Sequence, residues 1–568
     1  MQLLTKKVHL FSYAFICVFL LNTLCLNNKL VMASPQKQLY GETSFSGTFL
    51  AAYYAQKNYD YDHAFDFFSA LDTHQFSFLL EETLSMAIIT GHFDEASKVS
   101  HKLTQDQHKI MLPRLFLALE HVKKQNFTKA EKELSHIPEE LSEHFLIILV
   151  KAWISAGKKD KSQAVKNLEN PQKATKKLFQ LHRTLILDYL NFSDEALASL
   201  KSLLPEGKKQ SFYYVNLLGN LIARNEGKQK AQNFFQEFKN ENIFSAYLYD
   251  YWQNDNHPIY QEPLIQSASD GLAHALSMAA LTLYFSGDIQ NGILLLKLSL
   301  YLKPDFDFAY LNLAEIYSEL LQYKKSNSYI KFIKPSSPFF WTAALQQIGN
   351  FEDTQDMEKA LAHAEELSQQ RVSDTQSLLV KGDLLRQQKE YLLASQTYTQ
   401  ALHRIEVHKL AEDWTVYYSR GVCFERLGKW DEAERDLLKA LELEPNQPFV
   451  LNYLGYSWIE QEKNLEKALN MVETAVAARP NDGYITDSLG WVLYKLGKYN
   501  DAVIHLEKAG VILTDDPVIH DHIGDVYWQL NRKIEARFQW KKALGMSPDE
   551  ELKTKLLNKI ENGLPKQP

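Results

Sequence analysis

The apolar residues of positions 414–548 follow the spacing of amphipathic helices, and the whole pattern returns at a fixed interval. Each of four successive segments centres its first apolar run on a glycine, at Gly421, Gly455, Gly490 and Gly524. The spacings between these glycines are 34, 35 and 34 residues. A period of this length predicts a repeated supersecondary unit.

Each segment contains the residues that two closely packed helices require. The glycine lets the first helix lie close to the second, and an alanine near position 20 is small for the same reason. Large apolar residues between these two positions fill the remaining space. A proline then ends the second helix and turns the chain into the next segment, as at Pro445, Pro480 and Pro548.

This pattern resembles the tetratricopeptide repeat, whose signature over 34 residues includes Leu-Gly, Tyr, Ala, Phe, Ala and Pro. Leu454-Gly455 and Leu489-Gly490 match the centre of that signature. The resemblance implies an antiparallel helix pair in each repeat, stacked into a superhelix with a concave binding face. The expected fold is therefore an all-α, right-handed α-solenoid.

A weaker form of the same rhythm runs through the N-terminal part of the chain. Its marker alanines are separated by 32, 34, 34, 32 and 35 residues, and they are Ala64, Ala96, Ala130, Ala164, Ala196 and Ala231. Together with the later copies, this predicts roughly 14 repeats over residues 45–548. The pattern breaks after Asn240, where aromatic residues crowd a segment that also contains Pro258 and Pro263.

The sequence therefore predicts six parts. They are a signal peptide (1–33), a degenerate N-terminal solenoid (34–239), an aromatic-rich connection (240–272), central repeats (273–413), well-formed repeats (414–548), and a capping helix with a tail (549–568). The capping helix is strongly charged, as expected of a polar cap on an open solenoid end.

The N-terminus indicates export. Lys6 and Lys7 precede an apolar run, and Val31-Met32-Ala33 offers a cleavage site before Ser34. The favoured location is a Gram-negative periplasm, the host class resting on the resemblance. The alternative is an inner-membrane anchor formed by an uncleaved segment 8–26.

Cysteine usage fits an exported chain. Two of the three cysteines, Cys17 and Cys25, lie in the signal segment. Only Cys423 remains after cleavage, so no intramolecular disulfide is expected. Its place beside Gly421 predicts a small buried residue.

Charge and motifs exclude several functions. The net charge of −8 becomes −11 when the three basic residues of the signal segment are removed, which argues against non-specific binding of nucleic acid. The sequence lacks the metalloprotease, P-loop, nucleophile-elbow and dinucleotide motifs, so neither an enzyme nor a cofactor is expected. His520 and His522 point about 200° apart on a helix, so no metal site is expected. One histidine should pack against the next repeat and the other should face solvent.

The resemblance places certain positions of each first helix on the concave face. Carried onto this sequence, the expected partner-binding groove consists of Tyr418, Arg426, Asn452, Tyr456, Tyr484, Asp487, Trp491, Tyr494, Lys495, Asp521, Asp525 and Trp528. Exposed aromatic residues beside carboxylates have the composition of a binding hot spot. The competing interpretation is that these aromatics pack against each other or lie under the last helix.

The favoured hypothesis is an exported, non-enzymatic scaffold that recruits partner proteins for cell-envelope assembly or secretion. Residues 482–491 and 516–528 are similar to exported proteobacterial proteins of the same repeat family, which brings no defined activity. One alternative is a solenoid that binds envelope glycan or exopolysaccharide, because aromatic platforms with carboxylates also suit sugars. Another is an accessory subunit of an envelope enzyme.

Overall fold

The computed structural model describes residues 44–71, 77–105, 111–169, 175–203, 212–236, 261–371, 374–408, 410 and 412–564. The predicted signal peptide and residues 240–260 of the predicted connection lie outside these ranges. The described residues divide between two compact units, which comprise positions 1–363 and 364–568.

The described residues form helices and no strands. In the first unit and across its boundary the helices are α1 Phe45–Lys57, α2 Tyr61–Ala70, α3 Ser77–Thr90, α4 Phe93–Gln105, α5 Met111–Lys123, α6 Phe127–Ser135, α7 Glu139–Ser142, α8 Phe145–Gly157, α9 Lys161–Lys166, α10 Lys176–Tyr189, α11 Ser193–Leu203, α12 Phe212–Glu226, α13 Lys228–Gln236, α14 Ala268–Phe285, α15 Ile289–Leu302, α16 Asp307–Glu319, α17 Tyr323–Ile330, α18 Phe340–Asp353 and α19 Met357–Gln370. In the second unit they are α20 Gln376–Gln387, α21 Tyr391–His408, α22 Trp414–Arg426, α23 Trp430–Leu443, α24 Pro448–Glu460, α25 Leu465–Ala478, α26 Gly483–Lys495, α27 Tyr499–Ile512, α28 Pro517–Gln529, α29 Lys533–Gly545 and α30 Glu550–Asn562.

Taken in sequence order, the helices of the described ranges form fourteen successive pairs, with α7 and α30 as additional single helices. The prediction of an all-α solenoid of about 14 helix pairs is therefore confirmed. The helix α14 begins at Ala268, a few residues before the predicted end of the connection. The six-part division of the chain stays a prediction.

The marker residues behave as their sizes require. In the second unit, a Cβ atom on Gly490 would lie 2.5 Å from Leu506 Cγ, and one on Gly524 would lie 2.3 Å from Trp540 Nε1. Real Cβ atoms do not approach other atoms so closely, so only glycine allows the two helices of each pair to make this contact. The partner alanines, such as Ala502 and Ala536, are fully buried.

The regularly spaced alanines of the N-terminal repeats also lie in a buried core. All six marker alanines from Ala64 to Ala231 are fully buried. Large residues such as Phe68, Phe116 and Phe235 are also fully buried. Each such side chain contributes roughly 1.5–3 kcal/mol through removal from water, so these degenerate repeats are held by the same packing as the regular ones.

Within the first unit, the chain folds back on its own early repeats. The helix α14 packs against α5, α8 and α10, and α15 packs against α3. A Cβ atom on Gly271 would lie 2.1 Å from the Trp153 ring, so α14 lies directly on α8. Further along, Gln322 Nε2 donates to the Tyr59 carbonyl at 3.1 Å. Helices α14 and α15 therefore pack on the first helices of earlier repeats.

No helix within the described ranges is long and apolar enough to cross a membrane.

Candidate partner-binding groove

The first helices of the C-terminal repeats, α22, α24, α26 and α28, are followed by the single helix α30. Polar side chains join each of these helices to the next one. The contacts are Tyr453 Oη to Glu425 Oε2 at 2.9 Å, Trp491 Nε1 to Glu460 Oε1 at 2.7 Å, His522 Nδ1 to Asp487 at 3.0 Å, and Lys559 Nζ to Asp521 and Asp525 at 2.8 Å. Several residues assigned to the groove from sequence thus also connect neighbouring repeats.

Trp491 occupies the centre of this row. Its ring stacks on His522 with centroids 3.9 Å apart and on Tyr494 with centroids 4.8 Å apart. The indole N–H donates to Glu460, and Lys495 Nζ lies 5.4 Å from the ring centroid. Four neighbours therefore hold a partly buried aromatic ring in one orientation.

His522 is buried against Asp487. Its Nδ1 atom lies 3.0 Å from both oxygens of that carboxylate. Burial by itself opposes protonation, but the charge of Asp487 and its hydrogen bond outweigh this, and the pKa of His522 is raised above its usual value. The pair therefore favours an imidazolium that stacks on Trp491.

The expectation that one of the two histidines faces solvent is wrong. His520 is buried as well as His522. The two ring nitrogens of His520 lie 2.7 Å from Gln539 Oε1 and 3.0 Å from the Thr514 carbonyl oxygen. The two rings leave the helix on different sides, as predicted, but neighbouring elements cover both sides.

Asp521 and Asp525 are buried under α30. Lys559 Nζ donates to both carboxylates, and Trp540 Nε1 donates to Asp525 Oδ1 at 3.0 Å. Burial, together with the neighbouring Asp521, raises the pKa of Asp525 to about 6. The ammonium group of Lys559 compensates two carboxylates that would otherwise be buried without a counter-charge.

Trp528 also lies under the C-terminal segment. A Cβ atom on Gly563 would lie 2.0 Å from its ring, and Trp540 packs beside it with centroids 5.4 Å apart. Lys533 and Arg537 approach the ring at 5.2 and 5.0 Å. Trp528 therefore packs within the chain, as the competing interpretation of the sequence allowed.

The groove positions in the earlier repeats are more accessible. Tyr484 is 40% exposed, and the Arg426 side chain is 56% exposed. Tyr418 and Tyr456 are partly buried, and Tyr418 meets Tyr453 edge-on with centroids 5.9 Å apart.

Asn452 lies on α24 among these positions. It is partly buried, and its Oδ1 atom has no hydrogen-bond partner in the described part of the chain.

The assignment of these positions to one binding face stays a prediction, and the sequence did not predict their partners. Lys559 and Gly563 were assigned only to a polar cap and tail, yet they cover Asp521, Asp525 and Trp528. The sequence does contain one signal for this contact, which is the opposite charge of a lysine in the last helix and two aspartates of α28. The stacking of His522 on Trp491 has no comparable signal, because the two residues are 31 positions apart.

The described residues contain neither a metal-binding cluster nor an exposed thiol. Among the described residues, no cluster of three or more His, Cys, Asp or Glu side chains could hold a metal ion. Cys423 is fully buried, as expected from its position beside Gly421. Burial raises the pKa of its thiol to about 12, which suppresses the reactive thiolate.

Comparison with known proteins matches one segment of the chain to a repeat family. The family model of the tetratricopeptide repeat matches residues 414–447. The chain is 31% identical over 114 residues to TPR repeat-containing protein PA4667 of Pseudomonas aeruginosa, over 20% of this chain and 19% of that protein. It is 31% identical over 86 residues to the Lipoprotein NlpI homolog of Haemophilus influenzae, over 15% of this chain and 27% of that protein.

The chain thus spans about a fifth to a quarter of the length of these relatives. Among solved structures, the APC/C hetero-tetramer Cut9-Hcn1 aligns over 86% of this chain and 97% of that chain, with 16% identity and a TM-score of 0.39. Residues 414–447 match the family model, and the described helices around them follow one another in pairs, so this chain contains a tetratricopeptide repeat.

Proposed function

We propose that this chain is a non-enzymatic protein–protein interaction scaffold, and that the groove formed by repeats 414–495 binds an extended segment or a helix of another protein. The observation that carries the proposal is the fixed Trp491 ring, stacked on His522 and Tyr494 and bonded to Glu460. A ring ordered before binding loses little conformational entropy when a partner arrives. Aromatic residues also dominate the affinity of many interfaces.

The accessible part of the groove is smaller than the set of residues predicted from sequence. Asp487, Tyr494, Asp521 and Asp525 are buried. The partner would therefore contact the side chains that keep exposed surface, which are Arg426, Tyr456, Tyr484, Trp491 and Lys495. These residues combine aromatic faces with two cations that keep exposed surface, although Arg426 lies 3.5 Å from Glu425 and Lys495 lies 3.4 Å from Glu460. We expect a partner that offers carbonyl groups or carboxylates to share these cations.

The glycan alternative receives less support from the contacts. Sugar recognition would need free carboxylates beside the aromatic ring to accept hydrogen bonds from hydroxyl groups. Asp487 is bonded to His522, and Glu460 already accepts from Trp491 and lies 3.4 Å from Lys495 Nζ. The carboxylates nearest to Trp491 are therefore engaged within the protein.

A site-specific crosslinking experiment tests the groove. A photoreactive amino acid at Tyr484 should crosslink a defined partner in the native host. The same amino acid at Leu438, which is 46% exposed on the second helix α23, serves as the matched control. The double substitution Arg426→Ala and Tyr456→Ala should remove the Tyr484 crosslink while leaving helicity unchanged. Equal crosslinking from both positions, or an unaltered crosslink in the folded double variant, contradicts the proposal.

We further propose that the scaffold is exported and serves cell-envelope assembly or secretion. The apolar run after Lys6 and Lys7, and the single cysteine left after cleavage, support this location. Intact-mass measurement of the protein from its native host should find Ser34 as the first residue. A mature chain that keeps residues 8–26 and sediments with membranes would favour the anchored alternative.

A further inference from the structure

The second helices α27 and α29 expose large apolar side chains on their outer faces. Ile504 and Val511 on α27 are 63% and 78% exposed, and Ile534 and Phe538 on α29 are 88% and 65% exposed. We call these four residues the outer patch. The opposite sides of the two helices carry the buried residues, which are Ala502, Leu506, Ala509, Ala536, Trp540 and Ala543.

The outer patch extends over two consecutive repeats in the same register. Ile504 follows the marker Ala502 by two positions, and Phe538 follows the marker Ala536 by two positions. Residues 504 and 511, like 534 and 538, are spaced to share one face of a helix. Since the markers face the partner helix in both repeats, the patch points away from the core and away from the groove.

Unpaired cations surround the outer patch. Lys508, Lys541 and Lys542 are exposed, and none of them makes an ion pair within the described part of the chain. Of the nearby acids, Glu507 and Glu535 both pair with Arg532, and the exposed Asp501 lies one turn before Ile504. This region is therefore locally basic in a chain whose net charge is −8.

Protruding apolar side chains among free lysines are typical of a surface that docks on anionic lipid. Apolar tips enter the boundary between headgroups and acyl chains, and each nearby lysine adds attraction to anionic headgroups. A protein partner would instead need cavities matched to four protruding side chains. We propose that the outer patch docks this protein on an anionic bilayer surface, with Ile534 and Phe538 inserted and Lys541 and Lys542 on the headgroups.

A local probe tests the proposal on the full chain. Cys17 and Cys25 are replaced by Ser, and an environment-sensitive fluorophore is attached at Ile504→Cys. Cys423 is fully buried and is retained. Because the probe reports only on its own surroundings, insertion of the N-terminal apolar run into the vesicle does not imitate the signal. The matched control carries the probe at Leu438→Cys, on the outer face of α23 beside Glu434 and Glu442.

Vesicles of equal parts phosphatidylglycerol and phosphatidylcholine should shift the emission of the Ile504 probe to the blue, with no shift at the Leu438 probe. Pure phosphatidylcholine vesicles should give a much smaller response. Replacing Lys541 and Lys542 by Gln should reduce the insertion equilibrium of the patch about twenty-fivefold, since each lysine near such a surface contributes about fivefold. Phe538→Ser should reduce it about tenfold or more.

Any of three results would overturn the proposal. The first is the absence of a response at Ile504 with anionic vesicles, and the second is an equal response at Leu438. The third is a response that grows with protein concentration in the absence of vesicles, because the patch would then be an interface with a second copy of the chain.

Discussion

The glycine at the centre of each C-terminal first helix determines how closely the second helix can approach. Gly524 faces the Trp540 ring, whereas a Cβ atom on Gly545, at the end of α29, would meet nothing within 4 Å. The two positions therefore differ in packing and provide a matched comparison within one repeat.

Gly524→Ala should lower the free energy of unfolding of the C-terminal repeats by about 1–3 kcal/mol, because the added methyl group overpacks the contact with Trp540. Gly545→Ala should be neutral, or should stabilise by less than about 1 kcal/mol. Urea denaturation followed by circular dichroism measures both. Equal effects of the two substitutions would show that the close approach does not limit packing.

His522, which stacks on Trp491, should make the free energy of unfolding depend on pH. The pKa of His522 is raised in the folded protein, so the contact with Asp487 stabilises fully below the unfolded pKa of about 6.5 and loses its effect as the pH rises through the folded pKa. His522→Gln should therefore be more destabilising at about pH 6 than at about pH 9. Thermal denaturation of the wild type and the variant at both values measures this difference.

His505 on α27 supplies the control for that titration. Burial lowers its pKa, so its protonation costs stability as the pH falls through the unfolded value. His505→Gln should consequently stabilise the protein at acid pH relative to neutral pH. A pH dependence of the same sign for both variants would contradict the assignment of His522.

At the scale of elements, the last helix is more than a polar cap. It presents Lys559 to two buried aspartates and places Leu556 fully in the core. The acidic residues at its start remain exposed, and Asp549 caps the helix there by accepting a hydrogen bond from the Leu552 amide. One side of α30 therefore continues the stack and the other faces solvent.

Lys559→Met should lower the free energy of unfolding by roughly 3–5 kcal/mol, because Asp521 and Asp525 lose their counter-charge while buried. Lys555→Met removes an exposed pair with Glu551 and should cost less than about 1 kcal/mol. Chemical denaturation compares the two methionine variants directly. Similar small losses for both would mean that the aspartates find other partners or become protonated.

The 34-residue period predicts where the helices lie but not which of their sides are covered. The period of 34 residues predicts α22 to α29 and the helix from Asp549 to Asn562, and the structure contains α30 over Glu550–Asn562 with Asp549 as its N-cap. The period does not predict which side of α30 is covered by the preceding repeat. That depends on the match between Lys559 and carboxylates 34 and 38 positions earlier, which is a contact between repeats.

At the scale of the molecule, the first unit brings residues together across long sequence distances. Lys325 Nζ lies 2.8 Å from Asp62 Oδ2 although 263 positions separate the two residues. Helix α14 rests on the first helices of three earlier repeats. The stability of those repeats should therefore depend on residues far along the chain.

Gly271→Val should reduce amide protection in α8 as well as in α14, because the larger side chain displaces the Trp153 ring. Thr282→Ala, at an exposed position of α14, should leave the protection of α8 unchanged. Hydrogen exchange measured by mass spectrometry resolves the two helices. Loss of protection confined to α14 would indicate that the early repeats are stable without it.

The sequence by itself determined the repeat, the helix pairs and the buried markers, because spacing and residue size act within one repeat or between neighbours. It also pointed to the face that carries Trp491 and Tyr484. Only the tertiary structure decided that α14 rests on the early repeats, and that Asp487, Asp521, Asp525 and Trp528 are engaged within the chain. Those outcomes depend chiefly on contacts between residues that are 34 or more positions apart, and a local period does not predict which side chains make such contacts.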